Sequence, residues 1–285
     1  MNCVLSLTSI DDCIDIVSKL GRNCLISKID VLKSFRILKV AESDYKFLGF
    51  IWNDLYWFDK VLVMGASISC SHFEPLSNAL QWIAINKLGV PYISHILDDF
   101  IFFGPHGSNV CAKSLASFQY LADSVGIPLN PKKNVLPGTS VELHGILFDT
   151  SDMKLKVPLD KRDKALDMIR RMNSKRKVTL EELQKLTGVL QFLTKAVQPG
   201  RSFLRRLYDL TKNLYLPSHL VWLNFEALQD LHAWEIFLTQ FQGSLILEKI
   251  DWKKDSNWKL FSDTSGLGYG AVYGNKWIQA KFPYA

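Results

Sequence analysis

No apolar run in the 285-residue chain approaches the roughly 18–20 residues that a membrane helix needs, so the sequence predicts no transmembrane span. The N-terminus, Met1-Asn2-Cys3-Val4-Leu5, meets Asp11 and Asp12 within a few residues and has neither the charged start nor the long apolar stretch of a secretory signal. Cysteine is sparse. Cys3, Cys13, Cys24, Cys70 and Cys111 are odd in number and never spaced Cys-x-x-Cys, which argues against a disulfide frame or a zinc site and for reduced thiols. Internal repeats and low-complexity segments are absent. Together these absences predict an intracellular protein, cytoplasmic or nuclear, without a membrane partner. They leave oligomeric state open.

What is present is enough apolar residue for a substantial core, 48% of the chain, and more length than one small domain requires. Charge is uneven. Between Lys154 and Lys212 there are 16 Lys/Arg against 6 Asp/Glu, a local +10 that leaves −4 for the remainder of a +6 chain. A basic segment beside an acidic one suits a polyanion binder with a metal site, although a solvated helical surface has the same composition.

The acidic feature is His95-Ile96-Leu97-Asp98-Asp99-Phe100. Its two carboxylates separate apolar runs, Tyr92 to Leu97 and Phe100 to Phe103, and the pattern predicts a hairpin with both acids at its tip. Cys24 to Asp30 reads as another apolar strand ending in an acid. If these strands are neighbours in one sheet, Asp30, Asp98 and Asp99 meet at its edge. Carboxylate oxygens suit Mg²⁺, and three of them are the minimum for two ions about 4 Å apart, the arrangement used for phosphoryl transfer. A solvated turn is the reading of the Asp-Asp pair taken alone.

Around these strands the chain predicts a helix from Ser9 to Gly21, an aromatic hairpin (Lys46 to Trp52, Leu55 to Val63) turning at Asn53-Asp54, and a small-residue loop from Met64 to Ser71. A helix from about His72 to Leu88 follows, then one from Ser108 to Val125, then a hairpin of Val141 to Asp149 with Met153 to Val157. Mixed helices and antiparallel strands indicate an α+β layer. After Pro158 the pattern is helical and basic. Thr179-Leu180-Glu181-Glu182 forms a capping box ahead of an apolar stripe of Leu183, Leu186, Leu190, Leu193 and Val197. Pro199-Gly200 breaks that helix. Arg201, Arg205 and Arg206 line the next and are candidates to grip a phosphate backbone. A further helix spans about Asn224 to Phe241. Trp258 to Asp263 is again a strand ending in an acid, followed by strand-like pieces at Tyr269 to Tyr273 and Lys276 to Phe282.

Five stretches resemble the motifs of a reverse transcriptase, in order: Ser27 to Arg36 with its acid Asp30, Gly65 to Phe73, Ile96-Leu97-Asp98-Asp99, Gly126 to Lys133, and the hairpin Glu142 to Leu147. The chain is more closely similar to polymerases of DIRS-type (tyrosine-recombinase) retrotransposons, through Met64-Gly65, Ser67 to Cys70, His95 to Phe100, Thr179 to Leu186 and Pro199 to Leu207. Phe261 to Gly266 resembles the opening of a ribonuclease H domain, with Asp263 as its first acid. Val63, Ser34 and Ile96 depart from the usual proline, alanine and tyrosine.

The resemblance implies an α+β fold: a palm with an antiparallel sheet and part of the fingers (1–157), a helical thumb/connection (158–250), and a truncated ribonuclease H-like start (251–285). It implies an RNA-directed DNA polymerase acting on a primed RNA or DNA template with deoxynucleoside triphosphates, using two Mg²⁺ ions that Mn²⁺ can replace. Asp30 and Asp98 would bind both ions, with Asp99 in support. Phe35 would exclude a ribose 2′-hydroxyl, Lys133 would protonate the leaving pyrophosphate, and Gly65 and Ser69 would floor the nascent base pair. Each has a plainer reading: Phe35 as a core aromatic, Lys133 as a loop lysine, Ser69 or Ser71 as a helix cap. Most of the fingers and the later ribonuclease H acids are not recognised, so the alternative function is a non-catalytic remnant that still binds nucleic acid.

Overall fold

The computed structural model describes residues 9–66, 68–240, 245–246 and 260–282. Residues up to Glu248 form one compact unit and those from Lys249 a second. The expectations for Ser67 and Trp258 lie outside the described residues.

The first unit opens with α1 (Ile10–Leu20). Ser9 caps it through a reciprocal box with Asp12, as the sequence predicts, and Ile10, Cys13 and Val17 are its buried stripe. β1 (Leu25–Asp30) follows, and then a 3₁₀ turn at Ser34–Ile37. Next come the exposed aromatic hairpin β2 (Gly49–Trp52) and β3 (Leu55–Phe58), then α2 (Ser69–Asn86), β4 (Ile93–Ile96), β5 (Asp99–Gly104) and α3 (Val110–Ser124). β6 (Val135–Gly138), β7 (Ser140–Leu143), β8 (Ile146–Asp149) and β9 (Lys154–Lys156) complete the strands of this part.

The sheet that carries the acids has the order β4-β5-β1-β6. β1 pairs antiparallel with β5 from Leu25↔Gly104 to Asp30↔Asp99. Its side chains divide by the two-residue period. Ile29, Val31, Phe100 and Phe102 pack toward α2 and α3. Cys24, Ile26, Ile101 and Phe103 pack on the other face, with α1 and β7–β9. Burying large apolar side chains on both faces supplies most of the driving force, at roughly 1.5–3 kcal/mol for each large side chain.

Several expectations change. Asp98 and Asp99 do not share the hairpin tip: Leu97 and Asp98 make the turn, and Asp99 opens β5 opposite both Ile96 and Asp30. Val141 to Asp149 is not one strand. It folds back at His144-Gly145, both left-handed (φ 47 and 81). α2 starts at Ser69 instead of His72, and neither serine caps it. The N-cap is Ile68, Ser69 Oγ donates to the Val63 carbonyl (2.7 Å), and Ser71 Oγ donates to that of Ile68 (2.8 Å).

The helical part comprises α4 (Leu159–Asn173), α5 (Leu180–Leu193), α6 (Arg205–Asp209) and α7 (Phe225–Gln240). The Thr179–Glu182 capping box and the Leu183/186/190/193 stripe form as predicted. A short pair, β10 (Lys177–Thr179) with β11 (Leu220–Trp222), was not anticipated, and β12 (Leu245–Ile246) joins β9. The helical core is a cluster separate from the two flanking the sheet, with Val157 packed against both the helical cluster and the β7–β9 side. Described by itself, the second unit holds the antiparallel meander β13 (Leu260–Thr264), β14 (Gly268–Tyr273) and β15 (Lys276–Lys281).

Two features yield predictions about stability. A Cβ on Gly200 would lie 2.5 Å from ring atoms of the fully buried Trp234. Overpacking of this kind costs about 1–3 kcal/mol, so Gly200→Ala lowers the urea midpoint with unchanged slope. Burial pushes the Asp149 carboxyl up, but the Lys156 ammonium, the Ser151 hydroxyl and the Asp152 N–H overcome this and hold it at about 2. The folded value lies below the ordinary 3.8, so its contribution is complete above pH 3.8 and is lost as pH falls toward 2. The loss is about 2 kcal/mol. Asp149→Asn flattens that limb of the stability–pH curve, read by denaturant titration at pH 5 and pH 2.5.

Candidate active site

The β1/β5 register sets Asp30 and Asp99 side by side at the sheet edge. Asp98 is tied to the same edge because the Val31 N–H donates to its carbonyl (3.0 Å). The lysine-bearing loop closes over β1. The Leu32 N–H donates to the Pro128 carbonyl (2.8 Å) and the Asn130 N–H to the Asp30 carbonyl (2.8 Å). Asn130 Nδ2 reaches Asp30 Oδ2 (3.1 Å) and Lys133 Nζ reaches Asp30 Oδ1 (2.8 Å).

The three acids are therefore gathered as predicted, but each has company the sequence did not reveal. Lys28, two residues before Asp30 on the same face, places Nζ 2.8 Å from Asp99 Oδ2, and Asp99 Oδ1 is buried without a partner. Burial pushes the Asp98 carboxyl up and the charges of Asp99 and Asp30 add to this, against its own backbone N–H and the Ser34 hydroxyl. Ser34 thus faces Asp98. Lys133 is held above the ordinary lysine range by its hydrogen bond to Asp30, then by the charges of Asp30, Asp99 and Asp98, while its side chain remains 62% exposed. Among the described residues no group of three His, Cys, Asp or Glu side chains forms a ready ion cage, and Lys28 and Lys133 occupy oxygens of two of the acids. The orphaned Asp99 oxygen and the crowding felt by Asp98 still mark a site that favours added positive charge, so the donor set fits a hard cation.

Phe35 is half-buried on the 3₁₀ turn after β1 and packs edge-on against Phe73 of α2, with centroids 5.4 Å apart. Gly65 needs its residue type for φ 90, and it is exposed. Ser69 is buried and its hydroxyl closes the loop onto Val63, so it shapes the loop from within. Arg201 and Arg205 are exposed. Arg206 Nε lies 3.3 Å from Asp230 Oδ2, near enough to pair by charge without hydrogen-bond alignment, and Asp230 is buried. Asp263 lies in the second unit, on β13, exposed.

Two further residues extend the site. The His144 ring sits near Asp99 and Lys28, its Nε2 is buried and unpartnered, and burial keeps the imidazole below its ordinary value. Next to it, a Cβ on Gly145 would meet Lys161 Nζ and the Phe192 ring, so this turn abuts α4 and α5. Beside it a groove of about 450 Å³ lies between those helices, with Lys161, Lys164, Gln184 and Lys185 at its sides and Gly188, Val189, Phe192 and Leu193 making much of its lining apolar. Lys161 and Lys185 pair with Glu142 and Glu181 at the surface. Gly188 lies inside α5 with a helical backbone and nothing within 4 Å of where its Cβ would stand. Glycine there costs the helix about 1 kcal/mol, and no packing among the described residues requires it. The Gln184, Gly188, Phe192 spacing was visible in the sequence as every fourth residue. Only its exposure shows that it is a surface.

No protein-family model matches the chain, and no curated protein matches it. Among solved structures, it is similar to a foamy viral protease-reverse transcriptase, the dRH form in complex with double-stranded DNA (TM-score 0.63, 19% identity, covering 100% of this chain and 47% of that one). The same viral protein in complex with an RNA/DNA hybrid gives 0.62 and 19% over 99% of this chain and 36% of that one. A third structure, with double-stranded DNA, gives 0.60 and 19% over 100% and 56%. The fold is thus reverse-transcriptase-like, and the chain spans between about a third and somewhat over half the length of these neighbours. No helix among the described residues is long and apolar enough to cross a membrane.

The Lys28–Asp99 pair generates a test of the site's electrostatics. Lys28→Met leaves a partly buried carboxylate unpaired and costs about 1–3 kcal/mol. With Asp99→Asn already present, the same change costs less. Urea unfolding of the two single variants and the double variant measures the coupling, and additive losses would mean that the pair is not formed.

Proposed function

We propose that the chain is the palm and thumb/connection part, with the start of a ribonuclease H-like domain, of an RNA-directed DNA polymerase from a DIRS-type retrotransposon. The proposed boundaries are 1–157, 158–250 and 251–285. One observation carries the reading. The edge of three acids lies beside the His144-Gly145 turn, and that turn abuts a largely apolar groove bordered by Lys161, Lys164 and Lys185, whose Gly188 has nothing among the described residues within 4 Å of where a Cβ would stand. A polyanion lying in that groove has its phosphates beside cations and can approach the α5 backbone closely at Gly188. Its end would lie toward the acids. The motif order and the reverse-transcriptase-like fold support the same reading.

Asp30, Asp98 and Asp99 would hold the Mg²⁺ ions, with Lys133 and Lys28 yielding oxygens they now occupy. When bound, such ions activate an attacking hydroxyl and neutralise a triphosphate. The chain's own residues do the rest. Asn130 and the Pro128 carbonyl fix the loop that carries Lys133, whose ammonium, released from Asp30 when the ions bind, would stand by to give a proton to the leaving pyrophosphate. Phe35, braced by Phe73, would be the residue that excludes a ribose 2′-hydroxyl. Arg201 and Arg205 supply further exposed cations for the backbone. Asp263 is proposed as the first acid of the ribonuclease H-like part.

The test has two arms. Binding of a fluorescent RNA–DNA primer–template, followed by anisotropy, falls steeply with salt and is weakened about tenfold or more by Gly188→Glu. Single-nucleotide extension with Mg²⁺ and a deoxynucleoside triphosphate is abolished by Asp98→Asn while binding persists. Binding that is insensitive to both salt and Gly188→Glu overturns the groove. Salt-dependent binding with no extension by the native chain supports the remnant reading instead.

A further inference from the structure

On the face of the sheet opposite the acids, α2 presents Glu74, Ser77 and Gln81 toward β4. All three reach the segment that leads into the Asp98 turn. Ser77, fully buried, donates its hydroxyl to the Leu97 carbonyl (2.7 Å). Leu97 is left-handed, with φ 52, a conformation that a leucine holds only when its surroundings fix it. His95, 1% exposed, stacks on Phe100 and is gripped at both ring nitrogens: Nε2 lies 3.2 Å from Glu74 Oε1 and Nδ1 lies 2.5 Å from Gln81 Oε1. A neutral ring donates from one nitrogen and accepts at the other. Nε2–H donating to Glu74 and the Gln81 amide turned to offer its NH₂ to Nδ1 satisfy both.

This seam is costly for a helix that could have packed on the sheet with apolar residues alone. Glu74 Oε2 is buried without a partner, a penalty of the kind that native structures retain for a reason. Its contacts converge on one short segment, His95 to Leu97. We propose that Ser77, Glu74, Gln81 and His95 are positioning residues that hold the Leu97–Asp98 turn, and with it the placement of Asp98 beside Asp30. The functional meaning of that placement rests on the polymerase reading. The positioning itself does not.

Amide hydrogen exchange on the 285-residue chain separates the two. The readouts are the Val31 amide, which donates to the Asp98 carbonyl, and a peptide covering residues 94–100. Ser77→Ala removes one hydroxyl and is expected to speed exchange at both by tenfold or more, with peptides from α3 and α5 unchanged. His95→Gln, which keeps a polar group opposite Glu74, is expected to exchange within threefold of the native chain, and His95→Leu is expected to match Ser77→Ala. Mn²⁺ binding followed by electron paramagnetic resonance is expected to weaken fivefold or more in Ser77→Ala. Equal acceleration in α3 and α5, or none at Val31 and residues 94–100, overturns the positioning role. A native chain that binds no Mn²⁺ counts against the polymerase reading, while the exchange data still decide the positioning.

Discussion

Asp30 and Asp99 are direct cross-strand partners at the end of the β1/β5 ladder. Like charges directly opposite one another destabilise a sheet, so this one pairing dictates much of what surrounds it. Lys28 answers Asp99 from the diagonal position on the same face. Lys133 and Asn130 answer Asp30 from a loop a hundred residues further on. The ladder itself survives because the residues behind the acids, Ile29 with Phe100 and Ile26 with Phe103, are fully buried pairs on opposite faces. Apolar burial thus maintains an edge where the charges alone would push the strands apart.

The same ladder divides the molecule's tasks between two faces. One face carries the acids, His144 and the turn that meets α4 and α5. The other carries α2, whose polar seam reaches through β4 to the Asp98 turn. A strand places successive side chains on opposite sides, so His95 and Phe100 belong to the supporting face, while Asp99, next to Phe100 in the chain, lies on the other face opposite Asp30. Two of the left-handed non-glycine residues, Leu97 and His144, lie at hairpin turns beside this edge. Both conformations are unfavourable in isolation and are held by tertiary contacts.

Where sequence and structure diverge, the reason is physical in each case. The capping box at Thr179 is a local interaction spanning three residues, and it formed as expected. β10 and β11 are three residues each and pair across some forty positions, so neither has a period long enough to announce itself. Ser69 and Ser71 have the composition of caps, yet their hydroxyls donate to carbonyls instead of accepting from the helix's first N–H groups. Two adjacent polar residues between apolar runs usually form the turn, a pattern that puts Asp99 at the tip with Asp98. Here Leu97 enters the left-handed region instead, and Asp99 is drawn into the ladder.

By itself, the sequence determined the α+β class, the order of the elements and the candidate acids, because apolar periodicity, caps and short motifs are properties of neighbouring residues. Tertiary structure alone decided which groups those acids face. Lys28, Ser34, Lys133 and Asn130 gather around them through strand register and loop closure, and nothing in a residue's immediate neighbours records that. It also decided that Gly188 looks out onto a groove and that Ser77 grips the Leu97 carbonyl. Exposure and long-range contact are set by how helices and strands pack, which the local pattern constrains only to a face and not to a partner.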